Sequence, residues 1–236
     1  MTDFLTLARN DLHILWRTGY VWATIVIFAL LLLVVSQVSR LEFAGFAELV
    51  AAIILFDTVL SPVLVIGLMM LLERGEGSFI ALAVTPVSRW AYVAARTATV
   101  SVICASQMLL LVLITYDGAL SPALLLAGLL GVAAIASLLA FVAVAPFDGL
   151  YPFMLPMTGW IFFLGAPGYG VLIGWDPIWL EWHPTAAPMV LLEGGFAALS
   201  SGRLAYGAVG TMAWLVFGAV LAERALRRMQ LRAAGG

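Results

Sequence analysis

Long apolar runs, separated by short clusters of charge, glycine and proline, set the organisation of this chain. No charged residue occurs from Thr18 to Ser39, which leaves room for the ~20 residues of helix that cross a hydrocarbon core. This is span one. Span two ends at Leu72, ahead of Glu73, Arg74 and Glu76. Counting ~20 residues back from Leu72 begins it near Ile53 and puts Asp57 about one turn inside the far surface. Pro62, within this span, removes a backbone N–H and should kink the helix. Span three fills Thr97 to Tyr116, and a turn at Asp117, Gly118, Ser121 and Pro122 leads into span four, Ala123 to Ala145, whose many small residues allow close helix packing. Span five, from about Tyr151 to Trp175, contains Pro152, Pro156 and Pro167 together with Gly159, Gly165, Gly168, Gly170 and Gly174. A helix interrupted in this way is predicted to be bent or partly unwound, with its freed backbone groups facing protein or a water-lined cavity. Span six is Leu204 to Ala222.

Three stretches outside the spans carry patterns of their own. From Thr2 to Arg17, Phe4, Leu5, Ala8, Leu12, Leu15 and Trp16 fall on one side of a helix and Thr6, Arg9, Asn10, His13 and Arg17 on the other, the pattern of a helix lying in the membrane interface. Between spans two and three runs ERGEGSFIALAVTPVSRWAYVAAR, Glu73 to Arg96. Gly75 and Gly77 break the preceding helix, and Ser78 can cap a short one in which Phe79 and Leu82 share a face. Thr85 followed by Pro86 then restarts the chain as a helix, with Thr as N-cap and Pro at the first helical position. The product is a transverse knob with exposed apolar residues; the plainer reading is a polar turn resting on lipid headgroups. The third stretch, Asp176 to Arg203, follows Trp175 and carries Trp179 and Trp182 at helical spacing, an aromatic belt. Pro188 opens a second short helix through Met189, Leu192 and Phe196, and the stretch is too apolar for a solvated loop, so we place it dipping into the outer leaflet.

Composition agrees with the pattern. The chain has 236 residues, 64% hydrophobic and 10% charged, with mean hydropathy +1.11, whereas a soluble domain carries roughly 25% charged residues. Residues 1–236 therefore read as one all-α polytopic transmembrane domain. A net charge of −2 with no lysine offers no basic patch for nucleic acid and no standard phosphate-binding loop. Cys104 is the single cysteine and lies in an apolar run, and His13 and His183 are the only histidines, which leaves no metal site to expect and, short of a mechanism run on carboxylates alone, no catalytic residues. Transport, a receptor role or scaffolding remain. Arg9, Arg17, Arg74, Arg89, Arg96 and four arginines of the tail lie on one side of the predicted topology, with Arg40 and Arg203 on the other, so the positive-inside rule places both termini and the knob in the cytoplasm. Asp57 is a functional candidate as an intramembrane carboxylate, against the alternative that it reaches water or a neighbouring helix end. With Pro62, Pro156, Trp160 and Pro167 it completes the candidates for lining a pathway.

At the knob the sequence resembles the membrane subunit of type-2 family ABC exporters. The resemblance rests on Glu73, Gly77, the apolar Phe79 to Val84, then Thr85-Pro86-Val87-Ser88, Tyr92 and Arg96. Within that family the stretches Pro156 to Trp175 and Asp176 to Glu193 resemble actinobacterial fluoroquinolone export permeases. The resemblance implies an N-terminal interfacial helix, six spans, a cytoplasmic coupling helix between spans two and three, and short re-entrant helices between spans five and six. It implies a bacterial plasma-membrane exporter of amphipathic or drug-like molecules, driven by a separate ABC ATPase present in two copies that binds ATP and Mg, with no cofactor in this chain. A second copy of the permease, or a sister permease, would complete the pathway. The ATPase would seat on Phe79 and Leu82, with Glu73, Gly77, Thr85, Pro86 and Arg89 shaping or contacting that seat.

Two other readings stand beside it. WDPIWLEWHP, Trp175 to Pro184, sets His183 in a tryptophan-rich external segment, as in haem-handling membrane proteins of cytochrome maturation, where a histidine can serve as axial ligand. A transport-inactive membrane anchor or immunity protein is the third.

Overall fold

The computed structural model of the protein describes residues 2–39, 46–77, 87–116, 118–174 and 177–235. The apolar runs form helices because only a helix satisfies its own backbone groups where water is absent. They are α1 (Thr2–Arg17), α2 (Tyr20–Ser39), α3 (Phe46–Gly75), α4 (Arg89–Thr115), α5 (Pro122–Val144), α6 (Leu150–Leu164), α7 (Ala166–Ile173), a 3₁₀ turn (Ile178–Trp182), α8 (Ala186–Glu193) and α9 (Ser201–Gly235). Among the described residues, α2, α3, α4, α5 and α9 are long and apolar enough to cross a membrane. The remaining predicted span is divided: α6 and α7, of 15 and 8 residues, meet at Gly165.

The middle of the bundle is α5. Its small residues let α3, α4, α6, α8 and α9 approach it on different sides, and Leu125, Leu129, Val132, Ile135, Ala136, Ala140 and Phe141 are fully enclosed. In contrast, α2 stands at the edge, with Trp22, Val26, Leu30 and Leu33 exposed toward the lipid. On α1, Leu15 is buried against the bundle while Leu5, Leu12 and Trp16 remain exposed, which suits a helix that rests on the bundle and the membrane interface together.

The segment after α7 does fold back into the molecule. Ala187, Pro188, Met189, Val190, Leu191 and Leu192 of α8 are all buried between α5 and α9. Glycine makes this wedge possible: a Cβ at Gly128 of α5 would lie 2.5 Å from the backbone nitrogen of Leu192, and one at Gly210 of α9 would lie 2.6 Å from Ala187 Cβ.

Candidate functional site

Charged side chains collect at one end of the bundle, beneath the connection between α3 and α4. Arg96, in the second turn of α4, is 1% exposed. Its Nη2 donates to Asp11 Oδ1 of α1 at 2.7 Å and to Glu73 Oε1 of α3 at 2.5 Å. Its Nη1 donates to the Tyr92 hydroxyl at 2.5 Å, and that hydroxyl donates in turn to the other carboxylate oxygen of Glu73. The guanidinium also lies over the Tyr92 ring, 4.7 Å from its centroid. One fork-shaped cation thus joins three helices through charge-assisted bonds. Burial raises the Asp11 carboxyl above its ordinary range, and the neighbouring Arg96 opposes that rise.

Further pairs fasten the same end. Arg74 pairs with Asp148 and donates to the carbonyl of Phe147 at 3.0 Å, tying α3 to the turn between α5 and α6. Arg89 Nε donates to Glu223 of α9 at 2.7 Å, and Arg232 donates to the carbonyl of Ala145 at 3.3 Å. The first turns of α4, the end of α3, α1 and the tail of α9 therefore form one braced platform.

Several of the predicted coupling residues sit on this platform. Glu73 is turned inward, its two oxygens taken by Arg96 and Tyr92, and braces the connection from within. Arg89 is taken by Glu223. Gly77 has a φ of +71°, a left-handed conformation that favours glycine, and it ends the turn that follows α3. Phe79, Leu82, Thr85 and Pro86 lie outside the described residues. The helix restarts later than Thr85 and Pro86 predict: Val87 and Ser88 are not helical, and Ser88 is the N-cap of α4, its hydroxyl accepting the Ala91 N–H at 3.1 Å. A second capping residue three positions on satisfies the orphan donor, so the earlier Thr-Pro signal does not set the start. Asp11 escaped the sequence analysis; its signal was an acid one turn from Leu15 on the border of the apolar face.

The pathway candidates do not converge. Pro156 and Trp160 line an open groove on α6 with Gly159 and Phe163. Pro167 lines a different cavity of about 460 Å³, under Glu181, Glu193, Arg203 and Tyr206. Pro62 is buried in α3, which runs through it as one continuous helix without the interruption that span five shows. Asp57 lines a third cavity with Ile27 and Leu31 of α2, and a small pocket with Thr24, Phe28, Ser61 and Gln107. Those α2 residues belong to its middle turns, and α2 has the 20 residues that span a bilayer. Asp57 is therefore level with the middle turns of α2. Along α3 the apolar stretch runs Ala52–Gly75, so Asp57 lies between one and two turns from its start, as the count back from Leu72 predicts.

The break in span five is held by the outer connection. Pro167 has no N–H, and the Gly168 N–H turns to the carbonyl of Gly165 at 3.0 Å, which frees the carbonyl of Leu164. The Thr185 hydroxyl takes up that carbonyl at 2.7 Å. Thr185 N–H donates to His183 Nδ1 at 3.3 Å, and the imidazole packs on Phe163 with ring centroids 4.7 Å apart. Burial pushes the His183 pKa down to about 4. Both ring nitrogens are buried, so the imidazole faces inward and not outward as an external axial ligand would. Among the described residues, no group of His, Cys, Asp and Glu could hold a metal ion.

Residues 4–147 match the sequence model of a family described as fluoroquinolones export permease protein Rv2686c-like. The matched range holds α1 to α5, with Asp11, Glu73, Tyr92 and Arg96, and stops before the broken span. No curated protein matches the chain.

Proposed function

The chain belongs to the Rv2686c-like fluoroquinolones export permease family, and from that premise we propose that it is the membrane half of an ATP-driven exporter of amphipathic, drug-like molecules. It is a membrane permease, a transport subunit with no catalytic centre of its own. Drive comes from a separate ATPase that binds ATP and Mg and docks on the connection between α3 and α4, with Phe79 and Leu82 as its apolar seat. Two ATPases serve two permease halves, either two copies of this chain or this chain and a sister. Both termini and the connection face the cytoplasm of a bacterial cell.

The observation that best supports coupling is the position of Arg96. Glu73 closes the helix that enters the connection, and Arg96 lies in the helix that leaves it; the ion pair between them extends to Asp11 on the interfacial helix. A displacement applied at the connection is handed to α1, α3 and α4 together, because stretching any one bond leaves a buried charge short of its partner. Local motion of the connection then becomes rigid-body motion of spans, which alternating access requires.

The test is to co-express the chain with its cognate ATPase, purify through a tag on the permease and assay ATP hydrolysis in lipid. A stoichiometric ATPase is expected, with its hold on the permease weakened at least tenfold by Phe79→Asp or Leu82→Asp. An ATPase that never copurifies, or one retained equally by both variants, overturns the docking assignment.

A further inference from the structure

The carboxylate of Asp57 has no use in the platform or in the broken span. It is 8% exposed, stands level with the middle of α2, and no arginine among the described residues pairs with it. The groups around it are neutral: Ser61, one turn later on α3, hydrogen-bonds its side chain, Thr24 and Gln107 share its small inner pocket, and Tyr20 and Cys104 complete the surroundings. A side chain of this kind at membrane depth is retained for what it binds or carries far more often than for packing.

It also has a place for a ligand. Between α2 and α3 lies a cleft of about 360 Å³ walled by Ile27, Leu31, Ile53, Phe56 and Leu60, with Asp57 as its one charged group among the described residues. Ile27 and Phe56 are exposed at its lip, so it opens sideways to the hydrocarbon. The volume is that of a small-molecule site, apolar with one directional polar group. A lipid acyl chain fits the walls but brings nothing for the carboxylate.

We propose that this cleft binds an organic cation, a flat apolar molecule with a protonated amine, entering from the bilayer and seated with its ammonium on Asp57. The cation gains a counter-charge in a low-dielectric site and the carboxylate gains a cationic partner that none of the described residues supplies. This rests on the exporter reading and adds to it the cleft that holds the substrate's amine and the residue that selects it.

The experiment uses the full chain in lipid nanodiscs and measures binding of two probes by fluorescence: a fluoroquinolone with a free piperazine, and the same molecule acetylated on that nitrogen. Wild type is expected to bind the amine at least ~10-fold more tightly than the acetylated probe. Asp57→Asn is expected to lose that preference while binding the acetylated probe as wild type does. Leu31→Trp, which fills the cleft and leaves the carboxylate in place, is expected to weaken the amine probe at least tenfold, and it carries the test should the Asn variant fail to fold. Equal binding of the two probes by wild type, as for an acyl-chain cleft, a preference that survives Asp57→Asn, or full binding by Leu31→Trp overturns the proposal. ATP-driven transport that continues alongside any of these would leave the exporter reading standing and reject only this site.

Discussion

At the scale of single residues, Arg96 has the largest consequence. It is enclosed in protein, and its guanidinium is shared by Asp11, Glu73 and Tyr92. Arg96→Met removes the cation and leaves two buried or half-buried carboxylates facing each other, so unfolding in detergent should become easier by about 3–5 kcal/mol. Arg96→Lys should lie between, since a point charge cannot serve both acids and the phenol at once. Unchanged melting of Arg96→Met would remove the platform from the account. Three of the four residues of this cluster were legible: Glu73, Tyr92 and Arg96 stand in the recognisable motif, but their mutual contacts depend on how α3 and α4 pair, and Asp11 enters only because Leu15 anchors α1 against the bundle. Periodicity assigned α1 its apolar face without showing that an acid on its margin would be the buried one.

At the scale of elements, the broken span and the segment that holds it form a unit. Proline and glycine between 156 and 174 announced the interruption, and the apolar character of 176–203 announced the fold back. What these did not announce was the partner. The freed carbonyl of Leu164 is met by Thr185, which His183 positions, and such a contact between residues 21 apart has no period to betray it. The count back from Leu72 gave the start of the apolar stretch of α3 closely, but not that Asp57 would stand beside the middle turns of α2. The pH dependence of this unit follows from His183, whose pKa is depressed from 6.5 to about 4. Its neutral form belongs to the fold, so the unfolded chain takes up the proton first as pH falls. The stability it contributes is complete above pH 6.5 and is lost toward pH 4, at about 1.4 kcal/mol per unit, for roughly 3 kcal/mol in all. Thermal unfolding of wild type between those pH values should therefore show a steeper acid loss than His183→Gln, in which only the remaining carboxylates titrate. Parallel slopes would mean that His183 does not gate this unit.

At the scale of the whole molecule, the two ends of the bundle are held by different means. Ion pairs tie α1, α3, α4, the turn between α5 and α6 and the tail of α9 at one end, whereas at the other α8 is wedged between α5 and α9 on glycine contacts. In the proposed mechanism a force delivered at the ion-paired end is handed to the spans through these pairs. The exporter account asks this of the chain, and ATP-dependent uptake of a fluoroquinolone into inverted membrane vesicles, carrying the permease and its cognate ATPase, tests it most directly. Accumulation that requires ATP, and that Phe79→Asp abolishes at unchanged permease level, is the result expected. No ATP-dependent accumulation, or the same accumulation with Phe79→Asp, would contradict it.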